Sequence, residues 1–128
     1  MSRVLLLILF SLSALFSNEY YPGDSLVWEG VHAFYNYEFD RSVKILPKAR
    51  KIYPDHPGVH LVWAASRWVR SKANDPVERT YEILEFDLNE IKPIYNVLVT
   101  KYPHDQTFKL YRGSAIGLGA RVTLGKKI

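Results

Sequence analysis

His56 and His60 stand four residues apart, the spacing that places two imidazoles on one helix face for a metal ion. Asp55 is the only further ligand close to them in sequence, and His56 precedes Pro57, which favours a turn there. The residues therefore read as surface or helix-capping histidines, and no metal is expected. Glu29 with His32, and His104 with Asp105, each join an acid to a base. Neither pair has a nucleophile or an orienting third group beside it, so both read as solvated helix ends and no catalytic residue is assigned. Gly113, Gly117 and Gly119 would cradle a phosphate only behind a strand and at the start of a helix. They fall instead within a helical pattern, so close helix packing is expected and no cofactor is.

Aromatic and aliphatic residues offer the other chemistry, that of a contact surface. Val27, Val31, Phe34 and Tyr35 recur at helical spacing, as do Leu61, Trp68 and Val69. Such a surface supplies large contact area, and Arg67 or Arg70 beside it would meet an acidic group. The same stripes fit core packing, which is the commoner use of aromatic residues at helical spacing, and the contact surface is the functional alternative to it.

The elements that position these residues are helices. Asp24 or Ser25 is expected to cap a first helix ending near Asn36. Phe39, Val43, Leu46, Ala49 and Ile52 mark a second, with Pro47 inside it as an expected kink and Pro54 as its stop. A third runs from the Pro57-Gly58 turn to about Ser71. A long fourth runs from Val77 to about Tyr102, with Pro93 inside and Pro103 closing it. Gln106 to about Thr123 reads as a last helix whose apolar residues lack a covering partner, so it is expected to self-associate or to fray from Gly113 onward. No run alternates with period two, so an all-α fold is expected.

Before these helices, Met1-Ser2-Arg3 carries a positive charge, and Val4 to Phe16 is apolar apart from Ser11 and Ser13. That order is the order of a signal peptide, read here as residues 1–17 with 18–24 as a linker and 25–128 as the folded domain. An exported protein of the periplasm or envelope is expected, touching the membrane only if this segment stays uncleaved. The chain has no cysteine, which excludes disulfides, thiolate catalysis and a lipoprotein anchor. Its net charge of +4 is scattered, Arg67, Arg70 and Lys72 being the densest group, so no nucleic-acid partner is expected.

Ala49 to His56 and Leu98 to Asp105 are loosely alike: each closes a helix with a basic residue, Tyr and Pro before the next begins. Here the chain resembles the tetratricopeptide repeat family. Leu26 takes the first large place and Gly30 the glycine; Ser42 and Leu46 stand for the A-x3-F pair, with Ala49 on the same stripe, and Pro54 closes. Ala64 takes the glycine's place in a second unit that Pro103 closes, and Gly113 lies near that place in a third. Glu29 and Ala33 occupy places usually given to Leu and Tyr, and Ser42 replaces an Ala.

The chain is similar in more detail to exported bacterial tetratricopeptide proteins of unassigned function. The residues that carry this are Tyr35-Asn36-Tyr37-Glu38-Phe39-Asp40, Tyr53-Pro54-Asp55-His56-Pro57, Trp63, Trp68 and Gly117-Leu118-Gly119-Ala120-Arg121. Members are longer, so the chain reads as an N-terminal piece or a shortened member. The resemblance implies an α-solenoid of helical hairpins acting as a non-catalytic interaction scaffold. Its concave face would hold a protein or peptide partner on Val27, Val31, Phe34, Tyr35, Leu61, Arg67 and Trp68. The alternative is a small envelope hydrolase or metal-dependent enzyme, or an accessory domain of one, using His56 and His60.

Overall fold

The computed structural model describes residues 19–127, so the expected signal peptide, Met1 to Ser17, lies outside the described residues. Five helices account for most of the described chain: α1 (Asp24–Tyr35), α2 (Phe39–Ile52), α3 (Val59–Ser71), α4 (Val77–Lys101) and α5 (Gln106–Lys127). No strand occurs among the described residues, as the absence of period-two patterning requires. None of these helices is long and apolar enough to cross a membrane.

The ends of the elements correct several expectations. Gly23, at φ 93°, is the N-cap of α1 in place of Asp24 or Ser25. The Glu19 carboxylate supplies the capping acceptor instead, taking the N–H of Gly23 at 3.3 Å and of Ser25 at 3.1 Å. These bonds, that to Ser25 first, lower the Glu19 pKa. The C-terminus of α1 closes with Glu38 N–H donating to Ala33 C=O and Tyr37 N–H to Phe34 C=O. That pattern places Tyr37 at φ 62°, the left-handed position usually given to glycine. Neither Pro47 nor Pro93 interrupts its helix. Both rings are exposed. The last helix continues past Thr123 to Lys127.

Tyr-Pro occurs three times, at Tyr21, Tyr53 and Tyr102, each time shortly before α1, α3 or α5. All three form the same turn. The Tyr carbonyl accepts the N–H three residues on, from Asp24 at 3.1 Å, His56 at 3.1 Å and Asp105 at 3.2 Å. Proline in the second position pre-sets the backbone for it. Residues of all three turns line one cleft of about 500 Å³. They are tied together there: Tyr21 Oη–H donates to Asp105 at 2.8 Å, and Tyr102 Oη–H to Asp55 at 2.6 Å. Lys101 adds an ion pair to Asp55 at 2.5 Å. The Lys101 and Tyr102 bonds lower the Asp55 pKa, and the Tyr21 bond lowers that of Asp105. The stretch expected as a linker is thus docked from Glu19 onward, with Tyr21 packed against His56 and Phe108.

Each helix packs on the next in sequence, and smaller contacts join α1 to α3 and α3 to α5. The main core joins Leu46, Trp63, Trp68, Leu84, Leu88, Ile91, Tyr95, Leu98, Phe108 and Val122; Val27, Ala49 and Val59 form a smaller cluster. Small residues let the helices approach. Ala33, Ala49 and Ala64 are wholly buried, and a Cβ on Gly30 would come within 2.6 Å of Leu46 Cδ2. Ser42 is buried as well, its hydroxyl turned back to the Phe39 carbonyl at 2.9 Å.

Candidate functional site

Because α1 meets α3 and α3 meets α5, the three odd-numbered helices draw together along one side. Between them lies a groove of about 390 Å³. Val27, Trp28, Val31 and Tyr35 of α1 line it, with Val62 of α3 and Thr107 and Tyr111 of α5. Tyr20, Tyr21, Asp24, His56, Pro57 and Gly58 complete the lining. Trp28 is 58% exposed and Tyr35 72%, more than a core role allows for such large rings. Their placement follows from spacing: Val27, Gly30 and Ala33 take the buried face of α1, which leaves positions 28 and 35 on its open side.

The histidine and the carboxylate of the groove are already engaged. His56 Nδ1 accepts the Gly58 N–H at 3.0 Å, which leaves the proton on Nε2, 2.5 Å from Asp24 Oδ1. The other oxygen of Asp24 accepts the Tyr21 N–H at 2.9 Å. The groove presents aromatic and aliphatic surface around one paired carboxylate, a chemistry suited to apolar side chains of a bound chain rather than to a charged pole.

The expected contact residues divide. Val27, Val31 and Tyr35 line the groove, but Phe34, Leu61, Arg67 and Trp68 do not. Phe34 packs against Phe39 at 5.8 Å between ring centroids, filling the α1–α2 junction. Leu61 packs on the main core. Arg67 Nε donates to Asp87 Oδ2 at 2.7 Å, linking α3 to α4. Trp68 is buried near Tyr81, and its indole N–H has no acceptor among the described residues. Trp28, Val62 and Tyr111 were not singled out from the sequence, although 28, 31 and 35 share one helical face and that spacing is visible there.

His56 and His60 are buried, contrary to a surface reading, though His56 does serve the start of α3. His60 Nδ1 accepts Arg50 Nε–H at 3.0 Å, and Nε2 donates to the Pro54 carbonyl at 2.7 Å. Burial lowers the His60 pKa, opposed by its bond to Pro54. All four ring nitrogens are therefore committed to protein partners. No group of three His, Asp or Glu is placed to hold a metal ion among the described residues.

Glu29 pairs with Arg41 at 3.1 Å, not with His32, whose ring lies 5.4 Å from that of Trp28. Asp105 accepts from Tyr21, not from His104. Gly113 and Gly117 pack against nothing: a Cβ on either meets no atom within 4 Å. The expectation of close packing fails there because both lie on the face of α5 turned away from α4. Only Gly119 and Gly125 approach it, under Lys92 and Tyr81. No protein-family model matches the chain, and neither a curated protein nor a solved structure matches it.

Proposed function

We propose that the chain is a tetratricopeptide-like array of helical hairpins, exported to the bacterial envelope. It acts as a non-catalytic scaffold that holds an extended polypeptide on its inner face. The observation that carries this reading is the groove across α1, α3 and α5, with Trp28 and Tyr35 held open to solvent at its edge. In a stacked hairpin array the first helix of each unit lines the concave side, and these three are the first helices. The three Tyr-Pro turns and the Gly30–Leu46 contact support a repeating unit. The basic and apolar opening of the chain supports export. The bound chain would present apolar side chains, because the groove offers rings and aliphatics and its carboxylate is already paired.

The test is a pull-down from envelope extract with the wild-type chain and a Trp28→Ala/Tyr35→Ala variant. Both rings are largely exposed, so the far-UV spectrum should not change. A partner retained by the wild type should be lost from the variant. Recovery of the same partners by both would overturn the groove as the binding surface.

A further inference from the structure

α5 is apolar on two faces. Phe108, Ala115 and Val122 are buried against the array, while Leu110, Ile116 and Leu124 are each at least 60% exposed. A helix with apolar residues on opposite faces can meet a neighbour on each. The second observation is charge. The stretch from Gln106 to Ile128 has five basic residues and no acidic one. Lys126 pairs with Glu85, and Arg121 lies 5.5 Å from the Trp68 ring. Lys109 and Arg112 make no ion pair among the described residues.

We propose that the outer face of α5 is a second docking surface, and that its occupant is an acidic amphipathic helix of a partner protein. The apolar stripe of that helix would seat on Leu110, Ile116 and Leu124. Its flanking carboxylates would meet Arg112 on one border and Arg121 on the other, with Lys109 beside Ile116 as a further cation. A second copy of this chain fits less well, since pairing α5 with α5 sets basic borders against each other with no carboxylate on either helix. A bilayer fits less well too. Gly113 and Gly117 leave a trough in mid-stripe that admits another helix's side chains, where a membrane-seated helix carries bulky rings. This surface is distinct from the groove and stands without it.

The probe is a synthetic helical peptide with leucines at i, i+3, i+4 and i+7 and glutamates on both borders, alongside a twin with lysine at every glutamate. Fluorescence anisotropy with the full chain should show binding of the acidic peptide that weakens with salt. The lysine twin should bind at least about tenfold more weakly. Ile116→Glu should reduce affinity for the acidic peptide about tenfold or more, and Lys48→Ser on α2 should not. Ile116 is exposed, so its substitution spares the core, which circular dichroism checks. Equal binding of both peptides, or indifference to Ile116→Glu, would overturn the proposal. So would sedimentation showing self-association that Ile116→Glu abolishes, which gives the face to a second copy. Ile116-dependent binding to phosphatidylserine vesicles without acidic-peptide binding would give it to a membrane.

Discussion

Replacing Tyr95 with alanine is expected to lower the stability of the chain by about 3–5 kcal/mol, as for a large buried aromatic. Tyr95 is wholly buried in the main core, stacked on Tyr111 of α5 at 6.4 Å and edge-on to His60 of α3 at 5.9 Å. Its hydroxyl also completes the start of α3. The Leu61 N–H donates to it at 3.0 Å, and it donates in turn to the Pro57 carbonyl at 2.7 Å. Leu61 and Pro57 are the two groups that would bond directly in an unbroken helix, and the phenol bridges them. Burial keeps that phenol protonated by raising its pKa far above 10.0. Tyr95→Phe keeps the ring and should cost about 1–3 kcal/mol, the penalty of leaving buried polar groups unpaired. Urea titrations of the two variants separate these parts. A Tyr95→Phe variant as stable as the wild type would mean that the hydroxyl contributes nothing, and equal losses from the two variants would mean that the ring contributes nothing beyond it.

Arg67→Ala is expected to destabilise the fold by about 2–3 kcal/mol, without weakening partner binding in the groove. The Asp87 side chain is only 2% exposed, and Arg67 is its ion-pair partner. Burial raises the Asp87 pKa even against the pull of Arg67, so removing the guanidinium leaves a buried carboxyl without its hydrogen-bonded counter-charge and with only the more weakly acting Arg50. The expected cost sits below that of a fully buried pair because Arg67 is 44% exposed. Asp87→Ala added to Arg67→Ala should restore part of the loss, a departure from additivity that marks direct coupling. Thermal unfolding of the single and double variants measures it. Unchanged stability with lost partner binding would return Arg67 to the contact surface.

The positions of α2 and α4 in the core were legible because periodicity is a local signal. Leu46, Ala49, Tyr95 and Leu98 recur at three- and four-residue steps, and all are buried. Gly30 was legible as a small residue at a helix crossing, though the sequence does not contain its distance to Leu46. The fate of α3 was not legible. It lies between α2 and α4 and touches α1 and α5, so it is covered on several sides and Trp68 has no open face. Spacing cannot distinguish a covered aromatic from an exposed one when the cover comes from distant segments. His60 was misread for the same reason: its partner Arg50 belongs to the preceding helix, and their approach is tertiary. Gly113 and Gly117 failed in the other direction, since a small residue licenses close packing but does not supply a neighbour.

The claim that the inner groove holds a partner is tested most directly in intact cells producing the whole chain. A photo-crosslinking amino acid placed at position 28, on the groove, is compared with one at position 44, on exposed Lys44 of α2. The account predicts a discrete adduct from position 28 and none from position 44. Adducts of equal yield from both positions, or from position 44 alone, would contradict it.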